Sequence, residues 1–322
     1  MELGKIRLLC SDISHMALLS VFRDSGVPQK HGFDLEVDVA TISLGGRAAR
    51  GMKDRAKCLL EGDYEFLSGL HHETYIYRAK GDKRFVYLGQ AQNDWDDRLI
   101  ARPEFKTAKD LEGKRILTNQ APCVGGNLDH SLALAGVDTS KVEFVYQGRD
   151  LKVTERGTDA LEKLIKGELD AANVDIPFDY LGKKKGLHTI QLPSVPVIHN
   201  TTICASTDFT LKNEEKVFAF LKAFIESVHF FKTEKQKVCE ILSRELGPMI
   251  HVSGDDEIEY IHKQWSDLLS KKPYPHPMAV WNVYNLDVAH DPKINFIGPF
   301  EIWDTHYLRE IDDSGFIDAL YN

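Results

Sequence analysis

The sequence predicts an α/β fold of two lobes with a ligand cleft between them. Strand-like and helix-like patterns alternate along most of the chain, which points to mostly parallel sheets covered by helices. One unit also occurs twice: Leu60-Glu61-Gly62-Asp63 runs into Tyr64-Glu65-Phe66, and Ile165-Lys166-Gly167-Glu168-Leu169-Asp170 runs into Ala171-Ala172. Each reads as helix, Gly stop, acidic turn and strand, the repetition expected of two similar lobes. Finally, 322 residues exceed one ordinary core, so division into two is the default.

Ile6 to Cys10 reads as the first buried strand, and Ser11 or Asp12 can cap a helix whose stripe is Met16, Leu19 and Phe22. Gly26 and Pro28 stop that helix, and Phe33, Leu35, Val37 and Val39 then alternate at period two as a strand. After the Gly45-Gly46 turn, Ala49, Met52, Ala56, Leu59 and Leu60 recur at helical spacing up to Gly62. Glu65 to Leu70 is the next strand, with His71-His72-Glu73 at its carboxyl end, followed by a helix over Thr74 to Lys80 and a strand over Phe85 to Leu88. Leu99 to Asn127 carries a short strand, an Arg-Pro break, the charged turn Asp110-Leu111-Glu112-Gly113-Lys114-Arg115, a strand at Ile116-Leu117, and Gly125-Gly126 opening a helix. A Gly-rich turn that delivers a strand to a helix N-terminus presents free N–H groups and a positive dipole end, which favour an anion.

The alternation continues with a helix on Leu128, Leu132 and Ala135, a strand over Val142 to Tyr146, a helix on Leu161, Leu164 and Ile165, and a strand over Leu169 to Val174. Pro193 and Pro196 break short strands between Leu187 and Ser206. From Asn213 the chain is helical: Val217, Leu221, Phe224, Val228 and Phe231 form one stripe. Thr233 with Gln236 predicts a capping box for Val238, Ile241 and Leu242, and Ser253 precedes a further stripe of Ile258, Ile261, Trp265 and Leu268. Pro273 to Asn322 is rich in Pro and aromatics, and Trp281, Tyr284, Phe300 and Trp303 are expected to seal a lobe surface.

Hydrophobic residues at 43% and charged residues at 28% are those of a globular chain, and a net charge of −9 argues against nucleic acid, which asks for a basic face. No run approaches the roughly 18 apolar residues of a membrane-spanning helix, so membrane insertion is not expected. Lys5 and Arg7 are not followed by an apolar segment of signal-peptide length, which points to the cytoplasm, or to the periplasm if a signal has been removed. Cys10, Cys58, Cys123, Cys204 and Cys239 are odd in number and scattered, as suits buried thiols in a reducing compartment.

The turn Asp110-Leu111-Glu112-Gly113-Lys114-Arg115 resembles the one that opens the second lobe of bacterial solute-binding proteins of the sulfonate, taurine and thiamine-precursor type. Asp208-Phe-Thr-Leu211 through Lys232 is similar to the helix that follows the second crossover in that family. The resemblance implies a type II periplasmic-binding-protein-like fold, with residues 1–101 and 205–322 in lobe one, 102–204 in lobe two, and crossovers near Ala101 and Ala205. Family members without a secretion signal include enzymes: a thiamine pyrimidine synthase, aromatic desulfinases, dihydroxyphthalate-type decarboxylases and menaquinone-pathway proteins. This chain lacks the synthase's cysteine run and carries Glu73 where its substrate histidine would stand. Cys10 lies earlier than the desulfinase nucleophile, inside the strand pattern, and reads as core.

In such a fold the loops after successive strands converge on the cleft. They bring Ser11, Asp12, Ser14 and His15; Ser68, His71, His72 and Glu73; Asn119 with Gly125 and Gly126; Asp175; and His199, Asn200 and Thr201. His15, His72, His199 and Glu73 are the candidate catalytic groups, because imidazoles and carboxylates held on separate strand ends suit acid/base work. His15, His72, His199 and Asp175 are also the candidate ligands of a divalent metal, the one cofactor considered. Adjacent His71 and His72 point to different sides, so one of them faces the cleft. Arg47 and Arg50 can pair a carboxylate or form a solvated helix face, and Lys183-Lys184-Lys185 is a solvated tip. Two functions are therefore expected: a cytosolic decarboxylase-like lyase acting on a small, perhaps aromatic, carboxylate, or the substrate-binding component of a transporter for a small organic anion, with a permease as partner.

Overall fold

The computed structural model describes residues 2–41, 55–120, 122–147 and 153–322. The Gly45-Gly46 turn, Arg47, Arg50, Ala49 and Met52 lie outside the described residues. Ten strands, Gly4–Cys10 (β1), Phe33–Val39 (β2), Phe66–Ser68 (β3), Phe85–Gln90 (β4), Arg98–Ala101 (β5), Arg115–Asn119 (β6), Glu143–Gln147 (β7), Ala171–Val174 (β8), His188–Ile190 (β9) and Thr202–Ser206 (β10), make two five-stranded sheets.

The sheets have the same plan. The first runs β2-β1-β3-β10-β4 and the second β7-β6-β8-β5-β9. In each, four strands run in one direction, and the fourth in order, β10 or β5, is antiparallel to both its neighbours. That antiparallel strand is the one that has just arrived from the other lobe. The doubled helix-Gly-acid-strand unit precedes β3 and β8, which hold equivalent third places, so the echo in the sequence is the two-lobed repeat.

Sheet membership shifts the crossovers from the expected positions. Leu99-Ile100-Ala101, assigned above to lobe one, pairs with β8 and β9 in the second sheet. The chain therefore leaves the first sheet between Gln90 and Arg98 and returns between Ile190 and Thr202. The two connections run side by side: Trp95 N donates to Val195 O at 3.0 Å and Val197 N to Asn93 O at 3.0 Å.

Alternation along β1 sends Leu8 and Cys10 into one buried cluster and Leu9 into the other. The first cluster packs helices Met16–Asp24 and Glu214–Thr233 on the sheet, with Phe66 stacked on Phe220 at 3.8 Å between ring centroids and Phe22 edge-on to Phe220 and Phe224. Cys10 is buried there as expected, and desolvation pushes its thiol well above the ordinary range. The Thr233–Gln236 box does not form: Thr233 is the last residue of its helix and donates to His229 O at 2.9 Å. Helix Asp255–Leu268 is instead capped at Gly254, whose N–H donates to Glu257 at 3.1 Å.

The C-terminal segment closes the edge of β4, where Tyr87 N donates to Ile302 O at 2.7 Å. Of its aromatics, Tyr284 is buried, whereas Trp281 and Phe300 remain about half exposed. Helix Pro277–His290 then reaches the second lobe, with Leu286 against Gly126 and Asn282 Nδ2 donating to Pro196 O at 2.7 Å. On the opposite flank, Tyr180 of lobe two stacks on Tyr260 of lobe one at 4.7 Å, and Lys184 bridges Asp256 at 2.7 Å and Glu257 at 2.9 Å. Among the described residues no helix is long and apolar enough to cross a membrane.

Candidate ligand-binding site

Strand ends from both sheets and both connections meet between the lobes. On the lobe-one side, Ser11 Oγ donates to Gly69 O at 3.0 Å and accepts from Arg55 Nη1 at 3.0 Å. His15, on the 3-10 turn Ile13–His15, is buried with Nδ1 hydrogen-bonded to Ser68 Oγ at 3.1 Å. Gly69 has φ +96°, and a methyl there would overlap His15 Cε1 and crowd Ser11 Oγ, so glycine is required. Arg55 is buried and pairs with Glu73, which places that carboxylate beside a cation.

The rings of the two adjacent histidines do not point to opposite sides: they lie 4.6 Å apart, tilted at 59° to each other. His71 faces His199, with ring centroids 5.7 Å apart, while His72 Nδ1 bonds to Asp287 Oδ1 at 2.6 Å on the C-terminal helix. His199 Nδ1 bonds to Asp96 Oδ1 at 2.9 Å, and Asn200 Nδ2 donates to Asp96 Oδ2 at 3.2 Å. Asn200 and Thr201 adopt positive φ of 28° and 20°, strain that the surrounding bonds must hold. Asp175 feels the charges of His199 and Asp96, but among the described residues no group of three or more His, Cys, Asp or Glu could hold a metal ion, the candidates His15, His72, His199 and Asp175 included.

The centre of the cleft is acidic. Asp96 and Asp97 come from the first connection, Asp175 from the end of β8 and Asp12 from the end of β1. Burial works against the Asp96 charge, but the hydrogen bond and charge of His199 hold its carboxyl below the usual range. Burial and the charges of Asp175 and Asp96 push Asp97 up to about 8. Asp175 and Asp12 are raised by burial, with Arg156 opposing the shift at both. Arg156, on helix Val153–Ile165 of lobe two, lies 3.8 Å from Asp12 Oδ2 across the cleft, while Arg55 also acts on Asp12 and Arg98 on Asp96.

Asn119 ends β6, and its carbonyl oxygen occupies the space that a Cβ on Gly125 would need; a Cβ on Gly126 would lie 3.1 Å from Leu286 Cδ2. Packing against backbone accounts for Gly125 before any ligand is considered; at Gly126 only a side-chain tip stands in the way. A depression of about 650 Å³ lined by Lys106, Lys109, Lys183 and His188 contains none of the cleft residues.

Sequence reasoning did not single out Arg156, Asp96, Asp97, Arg55, Gln92 or Asp287. The dense run Asp94-Trp95-Asp96-Asp97 just before β5 was the available signal for the acidic centre. Arg156 had none, because its helix reads as a charged outer face.

A model of the family described as NMT1/THI5 like matches residues 51–237, more than half of the chain. The chain belongs to that family. Among curated proteins, none matches it. Among solved structures, this NMT1/THI5-like chain is similar to a putative sulfonate ABC transporter periplasmic sulfonate-binding protein, SsuA, from Methylobacillus flagellatus KT, with 17% identity, a TM-score of 0.66, and coverage of 98% of this chain and 96% of that one. The periplasmic nitrate-binding protein NrtA from Synechocystis PCC 6803 shares 12% identity at a TM-score of 0.67, over 96% and 88% of the two chains. DszB in complex with biphenyl-2-sulfinic acid shares 12% identity at a TM-score of 0.64, over 97% and 99%. At these identities the likeness carries the fold alone, two α/β lobes on one plan. The lyase expectation gains no support from the binding proteins named here.

Proposed function

We propose that this NMT1/THI5-like chain is a solute-binding component that captures a small organic anion, a sulfonate or carboxylate, between its lobes and delivers it to a permease, with the periplasm as its compartment. The observation that carries this reading is Arg156. It projects into the cleft, its Nε is buried without a hydrogen-bond partner among the described residues, and its ion pair with Asp12 is long at 3.8 Å. A guanidinium with donors to spare suits the planar or trigonal oxygens of a carboxylate or sulfonate. The relatives named for sulfonate and nitrate binding favour the same class of ligand. The histidines serve this reading as frame: His199 fixes Asp96, and His72 ties β3's loop to the C-terminal helix through Asp287.

Calorimetry with small sulfonates, small carboxylates and nitrate tests the proposal. The expected result is saturable binding, recovery of the ligand unchanged by mass spectrometry, and loss of affinity in Arg156→Ala. Conversion of a carboxylate probe to product, or binding indifferent to Arg156, would overturn it.

A further inference from the structure

The two sheets share one plan, but their fifth strands meet different surroundings. On β4 the outer edge is taken by the C-terminal segment: Tyr87 N donates to Ile302 O at 2.7 Å, Asp304 N to Tyr87 O at 2.8 Å, and Gln90 N to Pro273 O at 2.8 Å. Tyr87 and Trp303 thereby pair in parallel, so residues 302–304 act as a short sixth strand. β9 holds the equivalent place in the second sheet, and among the described residues it has no hydrogen bond beyond those to β5. An open edge is a row of unmet N–H and C=O groups. Beside it, in place of a sixth strand, lies the depression of about 650 Å³, lined by His188 and Thr189 of the strand itself. Lys183 comes to it from helix Phe178–Lys184, which packs Phe178 on one face of the sheet, and Lys106 and Lys109 come from the segment that packs Ala108 on the other. The depression is therefore a slot between the two helical layers, along the strand's edge. Its ten lining residues include three lysines and no carboxylate, in a chain of net charge −9. Lys109 is held by Glu112 at 2.5 Å and by Gly136 O at 2.7 Å, whereas Lys106 and Lys183 are exposed and have no ion-pair partner among the described residues. The nearby Asp110 carboxylate accepts from the backbone N–H groups of Lys106 and Thr107, at 2.8 Å each.

We infer that the outer edge of β9 is a docking site for an extended, acidic segment of a partner protein, which adds to the second sheet as residues 302–304 add to the first. The internal counterpart shows what such a slot takes: in Glu301-Ile302-Trp303-Asp304 two acids flank two apolar residues, and Ile302 is fully buried. A partner segment of that pattern would hydrogen-bond to β9 through its backbone and bring its carboxylates to Lys106 and Lys183. Charge selects the partner, because a basic segment would meet three ammonium groups and no carboxylate in the lining. Lysines also guard open edges against pairing. Here, however, the strand itself reads His188-Thr189-Ile190, and the lysines stand back on neighbouring segments, where they repel a basic chain and attract an acidic one. The slot contains none of the cleft residues, so this inference stands apart from the role of Arg156.

The test is fluorescence anisotropy on the full chain with three labelled peptides: EVEVEV, its charge-reversed form KVKVKV, and EVEPEV, which keeps the acidic charge and loses strand pairing at the proline. The acidic peptide is expected to bind saturably with a Kd below about 1 mM, the proline form about tenfold more weakly, and the basic form not at all. Hydrogen exchange at His188–Ile190 should slow with the acidic peptide alone. The double substitution Lys106→Glu with Lys183→Glu alters two exposed side chains and should leave the circular dichroism unchanged; it is expected to weaken binding of the acidic peptide about tenfold or more. No binding of the acidic peptide by about 1 mM, equal binding of the proline form, or binding indifferent to the double substitution would overturn the inference. Concentration-dependent dimerisation in sedimentation, removed by the same substitution, would make a second copy of the chain the occupant and overturn the assignment to a partner.

Discussion

The lobe-one side of the cleft and the side formed by lobe two with the connections are built on opposite principles. Ser11, His15, Ser68 and Gly69 bond to one another and pack without room for a methyl group. Across from them, Arg156 Nε, Asn173 Oδ1 and Gln92 Oε1 are buried without partners among the described residues, and the carboxylates Asp96, Asp97 and Asp175 crowd together, with Asp12 facing Arg156 from lobe one. A satisfied network is rigid and specifies geometry; an unsatisfied one lowers its free energy by accepting a guest. The first side is the frame, and the second is where ligand chemistry is read.

Breaking the frame should have the largest effect. Gly69→Ala places a β-carbon into His15 and Ser11 at a backbone φ that L residues rarely adopt, and is expected to cost about 3 kcal/mol or more. Thermal unfolding should fall by several degrees, with binding lost alongside. A wild-type melting temperature in this variant would mean that the network at Ser11 and His15 gives way easily and is no frame.

On the other side, Arg156→Ala removes the long pair with Asp12 and the charge that opposes the raised values of Asp12 and Asp175, so a loss of stability smaller than that of Gly69→Ala is expected near neutral pH, where these carboxyls can take up a proton. Its main expected cost appears in binding: about 10- to 100-fold in Kd for a sulfonate or carboxylate, the range of a charge-assisted hydrogen bond. Equal losses of stability and affinity would make Arg156 part of the frame and erase the contrast.

The acidic cluster gives a smaller effect with a definite sign. Asp97 has a folded-state value of about 8 against an ordinary 3.8, so the native state holds its proton more tightly than the unfolded chain. Stability therefore falls as pH rises through that window, and the loss is complete above it. Asp97→Asn removes the penalty: the variant should exceed the unmodified protein by on the order of 1–2 kcal/mol near pH 8, with the gain vanishing toward pH 4. Urea unfolding at the two ends of the window checks this, and a gain independent of pH would point to packing instead of charge.

These two sides were also unequally legible in the sequence. Period-two apolar runs such as Phe33, Leu35, Val37 and Val39 expose strands directly, and strand ends pointed to Ser11, His15, Ser68, His71 and Asp175. Leu99-Ile100-Ala101 was placed in the wrong sheet because a buried strand carries no mark of the sheet it joins. Asp96 and Asp97 lie on a connection and not at a strand end, so the rule that found the others passed over them. His72 meets Asp287 across 215 positions, and Arg156 meets Asp12 only after two lobes have closed. Such pairings are products of the tertiary fold, and no local pattern encodes them.

The smallest expected effect concerns the glycine pair that suggested an anion site at a helix start. Gly125→Ala would collide with the Asn119 carbonyl and belongs with the frame. Gly126 is different. Its backbone is already helical, at φ −66° and ψ −39°, so alanine gains helix propensity of roughly 0.5–1 kcal/mol. Against this, its Cβ would sit 3.1 Å from Leu286 Cδ2, a side-chain tip that must move by a few tenths of an ångström. The two terms nearly cancel, and Gly126→Ala is expected to shift stability by less than about 1 kcal/mol. The informative measurement is then affinity for a simple sulfonate, read beside the melting curve. If neither changes, the glycine serves the seat of helix Pro277–His290 against lobe two. If affinity alone drops about tenfold, a ligand oxygen approaches the backbone N–H groups there, and the side of the cleft that reads the ligand extends from Arg156 to the start of helix Asn127–Leu134.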